Sequence, residues 1–246
     1  MITLGLDPSL TGFGWCVHNS AVSGPGRVVE KGQFATSPRD IFIERYRFMR
    51  ASVGEVIERF PQIEAIGAES SPFGELWSEG LFGLYLYVME AIFLHRKDLV
   101  YFDPLTLKAL VKIDPKLRKG QMFKSDMVDA AKADTGIKGK FNHNEADAYH
   151  IARFTARFWD FFHGRLVESE LTPSEKHTFT RTHTYQRGKH AGETVKAGLV
   201  FREDDRFFRF SLLEKGSNDP SQEGQGRAGE AREGGEEGQG GDGALD

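Results

Sequence analysis

Three short strand-like segments in a row, followed by alternating helical and strand-like segments, restrict this chain to a layered α/β fold. Residues 2–7, 14–19 and 27–34 read as strands, separated by the turn formers Pro8-Ser9, Thr11-Gly12 and Ser23-Gly24-Pro25-Gly26. Runs of this kind closed by turn residues predict a three-stranded antiparallel meander. After Pro38, the apolar residues Phe42, Tyr46, Met49, Val53, Val56, Ile57 and Phe60 recur mainly at steps of three and four, one face of a long amphipathic helix. A short strand over 63–68 then delivers Glu69, a mostly buried helix covers 75–97, and a further strand over 99–102 ends at Asp103-Pro104. Three strands followed by helix, strand, helix and strand place helices against a sheet.

Helices are also expected over 104–112, 125–133 and 142–162, the last opened by Asn142 with Glu145 at capping-box spacing. From His177 the pattern changes to a period of two, and 196–200 and 206–213 are candidate partners for it in a small β unit. The expected organisation is a domain over 1–165, a β-like extension over 166–213 and a tail over 214–246.

That tail carries nine acidic residues against three basic ones, a net −6, so the whole-chain charge of −4 leaves the preceding body at +2. Rich in Gly, Glu and Gln, it has too little apolar surface to order itself and is expected to be disordered. A mildly basic body admits a polyanionic ligand. The run 81–94 is interrupted by Gly83 and Glu90 and closed by His95-Arg96-Lys97, which suits a buried helix rather than a membrane span. The opening residues Met1-Ile-Thr-Leu-Gly-Leu-Asp7 are not expected to act as a secretion signal, and the lone Cys16 in Gly-Trp-Cys-Val reads as strand core in a reducing cytoplasm.

The chemistry-bearing residues stand where elements begin or end. Asp7 closes the first strand, Glu69 closes another, and Asn144-Glu145-Ala146-Asp147 opens a helix. Acids brought together from distant points of a chain are a means of holding hard divalent cations, which take oxygen donors. Each also has an ordinary alternative: a solvated strand end for Glu69, a helix-start acid for Asp147 and a helix-start amide for Asn144.

Together, Gly5-Leu6-Asp7-Pro8-Ser9-Leu10-Thr11-Gly12-Phe13-Gly14, Ala68-Glu69 and Asn144-Glu145-Ala146-Asp147-Ala148-Tyr149-His150-Ile151-Ala152 resemble the RuvC group of Holliday-junction resolvases, within the RNase H-like superfamily. The resemblance spans roughly residues 1–160. It implies a mixed five-stranded sheet with helices on both faces. It also implies a homodimeric endonuclease that cuts four-way and other branched DNA with two Mg²⁺ per site, Mn²⁺ substituting, in the cytoplasm of a bacterial host. The C-terminal extension points to a phage-encoded member. In that pattern Asp7 bridges both ions, while Glu69 and Asp147 bind one each.

Asn144 is a departure, because the family carries an acid or histidine at that place. An amide brings no charge, so Asn144→Asp is expected to raise activity at limiting Mg²⁺, unless His143, on the same helix face as Asp147, completes the site. Lys108 and Lys124 match basic positions near the scissile phosphate. Arg118 and Lys119 form a basic loop, and Phe73 is a candidate for stacking on an unpaired base. Two rival classes remain: a junction-binding protein without cleavage, and an actin or sugar-kinase type ATPase, which requires a second phosphate-binding lobe not evident in the sequence.

Overall fold

The structure is a computed structural model of the chain. It describes residues 1–69, 79–102, 104–111 and 123–180, and beyond them five short strands between 182 and 215. The sheet contains β1 (Ile2–Asp7), β2 (Phe13–Asn19), β3 (Val28–Phe34), β4 (Ala65–Glu69) and β5 (Asp98–Phe102) in the order β3-β2-β1-β4-β5. β1, β2 and β3 form the antiparallel meander, and β4 and β5 join β1 in parallel. This is the mixed five-stranded RuvC-type sheet expected of the RNase H-like fold.

Alternation along each strand sends neighbouring side chains to opposite faces. Leu4 and Leu6 of β1, Phe13, Trp15 and Val17 of β2, and Ile66 of β4 meet α1 (Phe42–Arg59) and α2 (Glu79–Leu94) through Met49, Val53, Leu84 and Ile92. On the other face, Val100 and Phe102 of β5 pack with α3 (Pro104–Val111), α4 (Lys124–Thr135) and α5 (His143–Phe162) through Leu107, Met127, Ile151 and Phe154. α5 lies flush on the sheet because two strand residues lack side chains. A Cβ on Gly5 would stand 1.9 Å from the Ala148 carbonyl oxygen, and one on Gly67 would stand 1.9 Å from Thr155 Oγ1. Cys16 is fully buried beneath α5, and burial pushes its thiol pKa up, which makes it core.

The start of α5 is fixed as the sequence implies. Asn142 Oδ1 accepts from the Glu145 backbone N–H at 2.9 Å, and Glu145 Oε2 accepts from the Asn142 N–H at 3.0 Å. Lys31 of β3 pairs with the same Glu145 oxygen at 2.7 Å, tying the helix start to the sheet edge.

Several expectations change. Residues 24–27 form a 3-10 turn, so the third strand begins at Val28 rather than at 27. His177 belongs to a helix, α6 (Pro173–Phe179), and not to a strand. The capping pair Thr172 and Glu175, with Pro173 at the first turn, outweighs the period-two pattern, and Phe179 packs edge-on against Phe158 of α5. Beyond it, β6 (Thr182–Thr184), β7 (Thr194–Lys196) and β10 (Glu214–Lys215) form one small antiparallel sheet, and β8 (Phe201–Glu203) pairs with β9 (Phe207–Arg209). The first two residues of the expected tail, Glu214 and Lys215, therefore pair with β7. Among the described residues no helix is long and apolar enough to cross a membrane.

Two core histidines make the fold acid-sensitive. Burial, as the main cause, holds His18 and His150 down to about 4, so both fold neutral. Below their ordinary value of 6.5 the unfolded chain takes up protons that the folded one refuses, and stability is lost as pH falls from about 6.5 towards 4. The cost approaches about 3 kcal/mol per histidine. We expect His150→Gln to flatten the acid side of a urea-midpoint profile relative to the parent; parallel profiles would show that His150 is not a source of the slope.

Candidate active site

The parallel pairing of β1 with β4 aligns Leu6 with Ala68, so Asp7 and Glu69 come one step later at the same edge of the sheet. By alternation with Gly5 and Gly67, both belong to the face that α5 covers. Asp7 is also paired with Gly14 across β2, and a Cβ on Gly14 would lie 2.2 Å from the backbone oxygen of Asn144. The first turn of α5 is thus pressed against the end of β1, which brings Asp147 to the two strand acids.

The electrostatics match that convergence. Asp7 is only 8% exposed, and its carboxyl is held well above the usual range, first by burial, then by the charge of Glu69 and a hydrogen bond to it, then by Asp147. Asp147 is pushed up to about 7 by burial and by Glu69, while Lys124 and Lys108 act against the rise. Lys108 lies on α3 and Lys124 is the first residue of α4, so the charges of two lysines from two further helices act on the acids: Lys124 on Asp7 and Asp147, and Lys108 on Asp147. His143, the exposed first residue of α5, is held below its ordinary value by partial burial and by Lys124, so it stands within reach of the lysine's charge. Asn144 is engaged differently: its Nδ2 donates to the Gly12 carbonyl at 2.5 Å.

Phe73, Arg118 and Lys119 lie outside the described residues. One buried neighbour was not foreseen: burial raises the hydroxyl pKa of Tyr85 on α2, and Glu69 and Asp7 raise it further. Helical periodicity marks Tyr85 as core but carries no sign of the acids across the sheet edge.

The donor chemistry fits a divalent cation. Buried carboxylates that raise one another lose that repulsion when a cation is bound, and all the available donors are hard oxygens. Among the described residues no group of three or more His, Cys, Asp or Glu side chains is placed to hold a metal ion. A hard divalent cation can also be held by one or two carboxylates completed by waters and substrate phosphates.

The sheet order and the helices that cover it define an RNase H-like fold of the RuvC type. Its solved structural neighbours include Thermus thermophilus RuvC, 25% identical, with a TM-score of 0.53 over 65% of this chain and 97% of that one. A second structure, T. thermophilus RuvC in complex with a Holliday junction substrate, is 23% identical with a TM-score of 0.52, covering 64% of this chain and 95% of that one. No family model and no curated protein matches the sequence.

Proposed function

We propose that the protein is a structure-specific DNA endonuclease that resolves four-way junctions, and other branched DNA, by Mg²⁺-dependent phosphodiester hydrolysis in the cytoplasm of a bacterial host. The observation that carries this reading is the alignment of Asp7 and Glu69 at the ends of the paired strands β1 and β4, with the charges of Asp147 and Lys124 acting on Asp7 and that of Lys108 on Asp147. Asp7 would serve both of two ions, with Glu69 and Asp147 holding one each and Mn²⁺ able to replace Mg²⁺. When bound, such ions supply a hydroxide near neutral pH and offset charge on the attacking and leaving oxygens.

The chain's own groups do the rest. Lys108 and Lys124 draw the phosphate towards the acids and offset the charge that develops on it. The burial of Asp7 restricts water at the reacting phosphate and strengthens every charge interaction there. Arg118, Lys119 and Phe73 remain sequence-based candidates for the DNA path.

Cutting two strands of a near-symmetric junction calls for two sites, and a two-fold dimer supplies them. The outer face of α2 suits a second copy of the chain: Leu86 and Leu94 are 48% and 64% exposed beside Met89, and Glu90 is paired with Arg50 at the margin. We expect Leu86→Glu to convert dimers to monomers in light scattering and to abolish paired nicking; a parent that is monomeric at micromolar concentration would contradict this face.

The function is tested with a labelled synthetic junction and a linear duplex of the same sequence in Mg²⁺, Mn²⁺ or EDTA. The reading requires metal-dependent nicking confined to the junction. Asn144 in place of an acid favours a junction binder without cleavage as the second reading, and tight binding with no nicking in either metal would select it.

A further inference from the structure

The five residues that follow Asp7 are gripped from both faces of the sheet. On the α1 side, Arg45 Nη2 donates to the Leu10 carbonyl at 2.8 Å and Nε donates to Thr36 Oγ1 at 3.0 Å. The Thr36 hydroxyl in turn donates to the same Leu10 carbonyl at 2.5 Å. On the α5 side, Asn144 Nδ2 donates to the carbonyl of Gly12 at 2.5 Å. Gly12 is seated so tightly that a Cβ there would stand 2.5 Å from Gln33 Nε2 and 2.8 Å from Asn144 Nδ2. Gln33 Oε1 accepts from Asn142 Nδ2 at 3.1 Å, so the cap of α5 closes the same set of contacts.

Arg45 is 5% exposed, and its guanidinium carbon lies 5.6 Å from the centre of the Phe42 ring. Burying a guanidinium is costly unless its N–H groups are bonded. Here they reach a backbone carbonyl three residues beyond Asp7 and a hydroxyl that donates to the same carbonyl.

We propose that Arg45 and Asn144 are positioning residues, two jaws that hold residues 8–12 and thereby fix the Asp7 carboxylate for cation and substrate. The place that carries a charged or imidazole side chain in the family is used here to tie down the loop, and Arg45 supplies the opposing hold. The role of the clamp rests on the nuclease reading, but its effect on the loop and on cation binding does not need cleavage.

The clamp reverses the expectation for Asn144→Asp. An ionised carboxylate has no proton to donate and repels the Gly12 carbonyl, so this variant loosens the loop instead of improving the site.

The test uses the full chain with Arg45→Met, Arg45→Lys, Thr36→Val, Asn144→Ala and Asn144→Asp. Three quantities are read: amide exchange over residues 9–12, Mn²⁺ affinity without DNA, and the single-turnover nicking rate with saturating junction. The loss of a loop hydrogen bond should speed local exchange and weaken Mn²⁺ binding by about tenfold each. Displacement of Asp7 by about 1 Å should slow nicking by about a hundredfold with junction affinity unchanged. Arg45→Lys should recover part of each loss, because an ammonium still reaches one carbonyl. Thr36→Val keeps the question answerable if Arg45→Met fails to fold.

Loop exchange and Mn²⁺ affinity at parental values in Thr36→Val and Asn144→Ala would overturn the proposal, as would faster exchange spread evenly over the sheet. Asn144→Asp with tighter Mn²⁺ binding and faster nicking would overturn it too, marking Asn144 as a deficient ligand. A parent that never nicks, in a set where the variants still loosen the loop and weaken Mn²⁺, would refute the nuclease reading and leave the clamp standing.

Discussion

Asp7→Asn is expected to abolish nicking of a four-way junction while junction binding stays as tight or becomes tighter. The substitution keeps the size of the side chain and its capacity to hydrogen-bond Glu69, and removes the charge that a cation would meet at the end of β1. Loss of a charged donor from a metal-assisted phosphodiester hydrolysis should lower the single-turnover rate by at least about a thousandfold. Binding moves the other way, since one fewer buried negative charge faces the phosphates. Gel shifts in Ca²⁺ and single-turnover nicking in Mg²⁺ separate the two effects. A variant that nicks within about tenfold of the parent would remove Asp7 from the site.

The second large effect is on the stability of the cation-free protein. Unfolded, Asp147 releases its proton near the ordinary 3.8, whereas in the fold it holds the proton to about 7. Folding therefore binds a proton across that window, and stability falls as pH rises through it. Asp7, also raised, adds to the same trend. The buried histidines pull in the opposite direction over much of the same range, so the parent's own profile mixes the two. A difference between proteins isolates the acid. In EDTA at pH 8, Asp147→Asn should be more stable than the parent by about 2–4 kcal/mol, with the gap closing towards pH 4. Mg²⁺ should narrow the gap at pH 8 by stabilising the parent more than the variant. A gap that is absent, or independent of pH, would mean that Asp147 ionises freely in the fold.

The sequence discloses those parts of the architecture that local physics dictates. The apolar run into Asp7, the stripe through Met49 and Val53, and the Asn142–Glu145 cap each carry their own signal, and each element stands where that signal puts it. Helix α6 was missed because alternation over His177 and Phe179 looks like a strand until Thr172 and Glu175 are weighed as a cap. The acids were legible as element ends. That Asp7 and Glu69 share an edge depends on parallel pairing and register, which come from contacts distant in sequence. The loop clamp was the least visible. Arg45 lies on the same helical stripe as Met49 and Val53, four and eight residues on, and a charge on an apolar stripe is the one mark that separates it from the exposed Arg47.

The most direct test is strand-resolved mapping of nicks on a synthetic four-way junction, with each strand labelled in turn, in Mg²⁺. The account predicts nicks at symmetry-related positions on two opposing strands, both absent in EDTA and in Asp7→Asn. A junction that is bound but left intact in Mg²⁺ and Mn²⁺, or nicks that appear equally on linear duplex, would contradict it.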